Sequence, residues 1–182
     1  MFEIASGSVL GRDHVAPGKN NQDAVYVDSE LDCATIDGRP LAKTVVAVVC
    51  DGCGSSPHSE VGAKIGARLV ANELRRQFKK LDAFQDRIAK NFIGTVHASA
   101  GMVVDDVNVV LGRVQNDVLA QLRVLANAMG GSLTEAVQDY FLFTVVGAVV
   151  RPDFTFVFGC GAGVAILNGL ALKLALADGT NA

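Results

Sequence analysis

No long basic run occurs in this chain. Its 16 Lys and Arg are outnumbered by 19 Asp and Glu, for a net charge of −3. Arg75-Arg76 and Lys79-Lys80 share a short helical face, which is the pattern of a solvated surface, so nucleic acid is not expected as a partner. The N-terminus, Met1-Phe2-Glu3-Ile4, lacks the basic and apolar regions of a secretory signal. No apolar stretch is long enough to span a bilayer; the longest candidate, Phe141 to Val150, runs into Arg151-Pro152-Asp153. A cytoplasmic protein without membrane association is expected. Cysteine is scarce too, at 33, 50, 53 and 160. Cys50 and Cys53 form one CxxC, but no second close pair completes a structural zinc site. No repeat, Pro-rich linker or low-complexity segment divides the chain, so residues 1–182 are expected to form one domain.

What is present is apolar. Half of the residues are hydrophobic and 19% are charged, the balance of a globular chain with a sizeable core. The most informative stretch is Val45-Val46-Ala47-Val48-Val49-Cys50-Asp51-Gly52-Cys53-Gly54. A β-branched apolar run reads as a buried strand, here ending in an acidic residue beside glycines. A carboxylate so placed sits on a rigid element yet opens into a loop, which suits a metal ligand. Asp and Gly are also ordinary turn residues, so the same stretch reads as a strand-to-helix turn. Alternation sends Cys50 and Asp51 to opposite faces, against a thiol or zinc site built on Cys50.

Periodicity orders the rest. Phe2 to Val9 and Ala24 to Val27 read as strands. Asp37-Gly38-Arg39-Pro40 reads as a turn joining Cys33–Ile36 to Lys43–Cys50 in a hairpin. Ser59 is expected to cap a helix carrying Val61, Ile65, Leu69, Leu74, Phe78 and Leu81, with Gly62 and Gly66 allowing close packing on a sheet. A second stripe runs from Phe84 to Leu111, with breaks expected at Gly101 or Gly112. A third, from Val114 to Met129, stops at Gly130-Gly131. The remainder reads as strands: Phe141 to Val150, Phe154 to Phe158, and a hairpin of Val164–Leu167 and Leu170–Leu176 about Asn168-Gly169. Strands, then helices, then strands predict an α+β fold of antiparallel sheets packed with helices.

Three motifs in this order resemble the metal-dependent protein phosphatase 2C family, in its divergent bacterial-type form. They are His14-Val15-Ala16-Pro17-Gly18-Lys19-Asn20-Asn21-Gln22-Asp23-Ala24, then Val46 to Gly54, then Thr144 to Val150 with Phe158-Gly159-Cys160-Gly161 and Asn168-Gly169. The resemblance implies a β-sandwich with flanking helices. It implies hydrolysis of phosphoserine and phosphothreonine by water activated on a Mn2+ or Mg2+ pair, with a phosphoprotein substrate or a regulatory protein partner. By position, Asp51 would bridge the metals, Gly52 would offer its carbonyl, Gln22 would stand at the metal site and Asp23 would support it. Hard cations favour such oxygen donors.

The resemblance also carries departures. Gln22 stands where many members have Glu, Cys53 where many have His, and Cys160 where the family turn has a metal-associated Asp. No phosphate-binding Arg stands near Gly18, which leaves Arg12, His14 and Lys19 as the nearest substitutes. Family domains continue past the Asn168-Gly169 hairpin and supply two further aspartates. The chain therefore resembles the N-terminal two-thirds of such a domain, a C-terminally truncated form with Asp178-Gly179 as turn or tail. An unpaired sheet edge and self-association through it are expected. The competing expectation is a non-catalytic binding or regulatory module that keeps this fold.

Overall fold

The β-branched run around Val48 becomes the central strand of a sheet. The computed structural model describes residues 4–11, 20–28, 35–36, 39–40, 44–91, 100–151, 155–161, 163–167 and 169–174. In chain order they form β1 (Ala24–Asp28), β2 (Thr35–Ile36), β3 (Arg39–Pro40), β4 (Val45–Gly52), α1 (Ser59–Asn91), α2 (Ala100–Ala128), α3 (Leu133–Tyr140), β5 (Phe143–Val150), β6 (Thr155–Cys160), β7 (Gly163–Leu167) and β8 (Leu170–Leu174). The main sheet has the order β1-β4-β5-β6 and is antiparallel throughout. The pairs β2–β3 and β7–β8 are separate hairpins. The expected α+β class of antiparallel sheets flanked by helices is what forms. No helix among the described residues is long and apolar enough to cross a membrane.

Helix α1 covers one face of the sheet, against β4, β1 and β5. Ala63, Ala67 and Ala71 recur one turn apart and are buried, as are Leu74 and Phe78 beyond them. Small residues at successive turns let the helix axis approach the sheet, and the larger side chains fill the space further along. They meet Val46, Val48, Cys50 and Val149 from the sheet. Phe78 lies 5.7 Å from the Phe156 ring, which lies 6.0 Å from Phe158. Helix α2 packs on α1 through Val110, Val114 and Val118. Polar contacts tie the two helices in antiparallel register: Arg76 to Asp117 at 2.5 Å, Gln77 to Asp117 at 3.2 Å and Gln121 to Glu73 at 3.0 Å.

Several elements differ from the sequence reading. Residues 4–11 are not a strand but an irregular, mostly exposed segment with no ladder partner among the described residues. The early hairpin is tighter than expected: Arg39-Pro40 lies in strand β3, opposite Thr35-Ile36, instead of in the turn. The β4 run pairs instead with β1 and β5, which places it in mid-sheet. The described helix α2 starts at Ala100, beside Gly101, and runs through Gly112 unbroken; a glycine costs a helix only about 1 kcal/mol, less than packing along its length recovers. It ends at Gly130 and Gly131, which have φ of 80° and 73°, conformations open to glycine at little cost. Helix α3 lies in a stretch, between Gly131 and Phe141, to which the sequence reading assigned no element. Its sequence signal was Ser132 followed by Glu135, a helix-start pattern, with the Ala136 N–H bonded to the Ser132 carbonyl at 3.0 Å.

Candidate active site

The end of β4 carries two opposite environments on adjacent residues. Cys50 is fully buried against α1, and burial pushes its thiol pKa up to about 12, so it behaves as a core residue. Asp51, one residue on, projects from the other face and is exposed. The β1–β4 ladder pairs Ala24 with Cys50. One position further, the same register sets Asp23 opposite Asp51, and two positions further Gln22 opposite Gly52. The Gly52 N–H indeed donates to the Gln22 carbonyl at 3.2 Å. Residues 28 positions apart in sequence thus place their carboxyls side by side on one sheet face, and the two carboxyls share a hydrogen bond.

The loop after Asp51 is held from three sides. The Cys53 N–H donates to the Leu142 carbonyl at 2.9 Å, and the His58 N–H to the Asp139 carbonyl at 3.0 Å. The Ser56 hydroxyl donates to the Gln138 carbonyl, and the His58 ring stacks on Tyr140 at 5.0 Å. The end of α3 and the start of β5 are therefore the backing of this loop. Buried Gln22 donates its amide to the Ser56 carbonyl at 3.3 Å. Ser59, expected as a helix cap, instead donates its hydroxyl to the Cys53 carbonyl at 3.0 Å. Gly52 leaves no room for a side chain. A Cβ there would fall 2.7 Å from both the Gln22 carbonyl oxygen and Ser59 Oγ, so only glycine fits.

Charge follows this geometry. The Asp51 carboxyl is held above its ordinary pKa, first by partial withdrawal from water, then by the shared hydrogen bond and the charge of Asp23. Two carboxylates in contact resist joint ionisation, and a cation between them relieves the conflict. Cys53 contacts Ser55 Oγ at 3.1 Å, and that contact is the main reason its thiol pKa is lowered. Glu60, at the start of α1, accepts from Asn20 at 3.0 Å, which is the main reason its pKa is lowered.

This arrangement, an acid-Gly strand end paired in register with a Gln-Asp segment, lies inside a matched family region. Residues 10–176 match the family model described as protein phosphatase 2C. The chain belongs to the protein phosphatase 2C family. No curated protein and no solved structure significantly matches it.

Of the residues singled out in sequence, Asp51, Asp23, Gln22 and Gly52 come together at one strand end of this phosphatase-family fold. Arg12, His14 and Lys19 lie outside the described residues, as does Asp178-Gly179. Cys160 is exposed on β6, on the helix side of the sheet by register, away from the Asp51 face. Sequence reasoning missed Asn20 as a partner of Glu60, and His58. Both border a cavity of about 260 Å³ with Gln22, Ser56 and Glu60. The signal for His58 was its place one residue before the helix, in a loop that a neighbouring element had to support.

Proposed function

We propose that this chain is a metal-dependent phosphoserine/phosphothreonine protein phosphatase in which Asp51 and Asp23 hold Mn2+ or Mg2+. The observation that carries this reading is the juxtaposition of the two carboxyls on the exposed sheet face, in a family whose members hydrolyse phosphoproteins. The donor chemistry fits a hard divalent cation: two carboxylates, with the Gly52 main chain beside them. When bound, the cation supplies Lewis acidity and lowers the pKa of a water for in-line attack at phosphorus.

The chain's own residues do the rest. Asp51 and Asp23 present negative charge that repels itself until a cation arrives. Gly52, by lacking a Cβ, lets the Gln22 main chain close on the strand end. Gln22 and Ser59 fix the loop that follows and keep the carboxyls oriented. Affinity for such a cation rises with the number of charged ligands, so two carboxylates predict weak binding.

A second reading has one observation in its favour. Among the described residues, no group of three or more His, Cys, Asp or Glu could hold a metal ion. That favours a non-catalytic binding or regulatory module on the same fold. Hydrolysis of p-nitrophenyl phosphate with and without Mn2+, read beside the melting temperature, separates the two. The phosphatase reading expects Mn2+ to raise the melting temperature and to drive turnover. Asp51→Asn should lose both, with activity falling at least ~100-fold, equivalent to about 2.7 kcal/mol of transition-state stabilisation. A folded wild-type chain that neither binds Mn2+ nor releases phosphate would leave the module.

A further inference from the structure

Strand β1 is an edge of the main sheet, and among the described residues no strand pairs with its outer side. The Gly52-to-Gln22 bond fixes which residues face that edge. In an antiparallel ladder, bonded pairs alternate with non-bonded ones. Gln22–Gly52 is bonded, so Ala24 and Tyr26 turn their main-chain groups toward β4, and Val25 turns its N–H and C=O outward. The Asp23 N–H is already taken by Asn21 Oδ1 at 3.1 Å.

A cavity of about 680 Å³ runs along this edge. Its floor is the consecutive stretch Asp23, Ala24, Val25 and Tyr26, and its wall is α1, with Lys64 and Arg68 one helical turn apart; Asn21 and Ser8 of the N-terminal segment, joined by a 2.7 Å hydrogen bond, line it as well. Arg68 lies over the Tyr26 ring at 5.5 Å, which holds its guanidinium above the strand. One end of the groove is therefore acidic at Asp23 and its side is basic. Four strand residues span roughly 13 Å, the length of a short extended peptide.

We infer that this groove takes an extended phosphopeptide that adds to the β1 edge through Val25, with acidic residues flanking the phosphoresidue against Lys64 and Arg68. The inference rests on the phosphatase reading and names its substrate class. Main-chain bonds to an edge strand give affinity without sequence demand, and the charged wall supplies the choice. The phosphoresidue enters at the Asp23 end, where the carboxyl pair lies. The chain's net charge of −3 and lack of a basic run set a nucleic acid strand aside as occupant.

The test uses the 182-residue chain and two fluorescent phosphothreonine peptides, alike except for flanking Glu in one and flanking Lys in the other. Anisotropy titrations with and without Mn2+ should show the acidic peptide bound about tenfold more tightly. Lys64→Glu with Arg68→Glu should reverse that order. Lys64→Gln with Arg68→Gln, a milder change for the fold, should abolish the preference. N-methylation of the acidic peptide's backbone should weaken it at alternate residues only, as strand pairing demands.

An unchanged preference in both double variants, or indifference to N-methylation at every position, overturns the inference. So does a dimer in sedimentation that saturating acidic peptide leaves intact, since a second copy would then hold the edge. Failure of the phosphatase reading shows itself differently, as no Mn2+-dependent phosphate release from either peptide whatever their affinities.

Discussion

The two faces of the main sheet carry similar residues and have different fates. On the α1 side, Val46, Val48, Cys50 and Val149 are sealed, with Cys50 at 0% exposure. On the other, Val49 stays 47% exposed and Asp51 opens to solvent. Composition alone does not make this difference, since valines dominate both. A helix with alanines at successive turns lies on one face only. One face is therefore sealed, and the other is only partly covered, where β7 meets Val146 of β5.

The largest expected effect tests that division directly. Phe78→Ala, in the sealed layer, should cost about 3–5 kcal/mol. Denaturant melts should show it, with the thermal midpoint falling by roughly 10 °C. Val49→Ala, on the strand it packs toward but on the open face, should cost less than ~1 kcal/mol. Equal losses would mean that the second face is covered in solution, and the comparison would fail.

Next comes Gly52→Ala, where the added methyl meets a carbonyl and a hydroxyl. Overpacking of this kind costs roughly 1–3 kcal/mol. It should also displace the Gln22 segment, so the Mn2+-induced rise in melting temperature should shrink by more than the stability loss explains. A variant that melts lower yet keeps the full Mn2+ response would detach the glycine from the site.

A smaller effect concerns pH. The fold raises the Asp51 pKa, so it favours the protonated carboxyl. The stabilising contribution is therefore complete below the ordinary carboxylate range and is lost as pH rises through the raised value. Metal-free protein should become less stable over that interval. Asp51→Asn, which stays neutral, should flatten this dependence and melt about 1–3 °C higher than the metal-free wild type at pH 7. A lower melting point for the variant at pH 7 would contradict the picture of two carboxyls in conflict. The smallest effect belongs to the surface. Arg76→Ala removes a pair to Asp117 between two half-exposed side chains and should leave the melting temperature within about 2 °C of the wild type.

Legibility followed the range of the interactions. The central strand, the stop at Gly130-Gly131 and the Asn168-Gly169 hairpin were readable because each depends on neighbours in sequence. Alternation also placed Cys50 and Asp51 on opposite faces. The partner of β4 was not readable: a run of valines fits any neighbour, and only the assembled sheet chose β1 and β5. Asp23 and Asp51 could be grouped by family resemblance, yet their contact depends on the register of that pairing. Helix α3 had its start signal in Ser132 and Glu135, but at eight residues it is too short for its periodicity to stand out. Its function as backing for the loop at Ser56 and His58 is a long-range matter that no local pattern carries.

The adjacency of Cys50 and Asp51 has a consequence for how the chain reaches this state. A slip of β4 by one residue turns every side chain to the opposite face. The slipped strand would drive a carboxylate into the layer beneath α1 and present a thiol where the cation is expected. An ionised carboxylate without a partner is far costlier to bury than a valine is to expose. Mispairing at this strand is thus penalised by Asp51 itself, whose carboxylate proofreads the register of the strand.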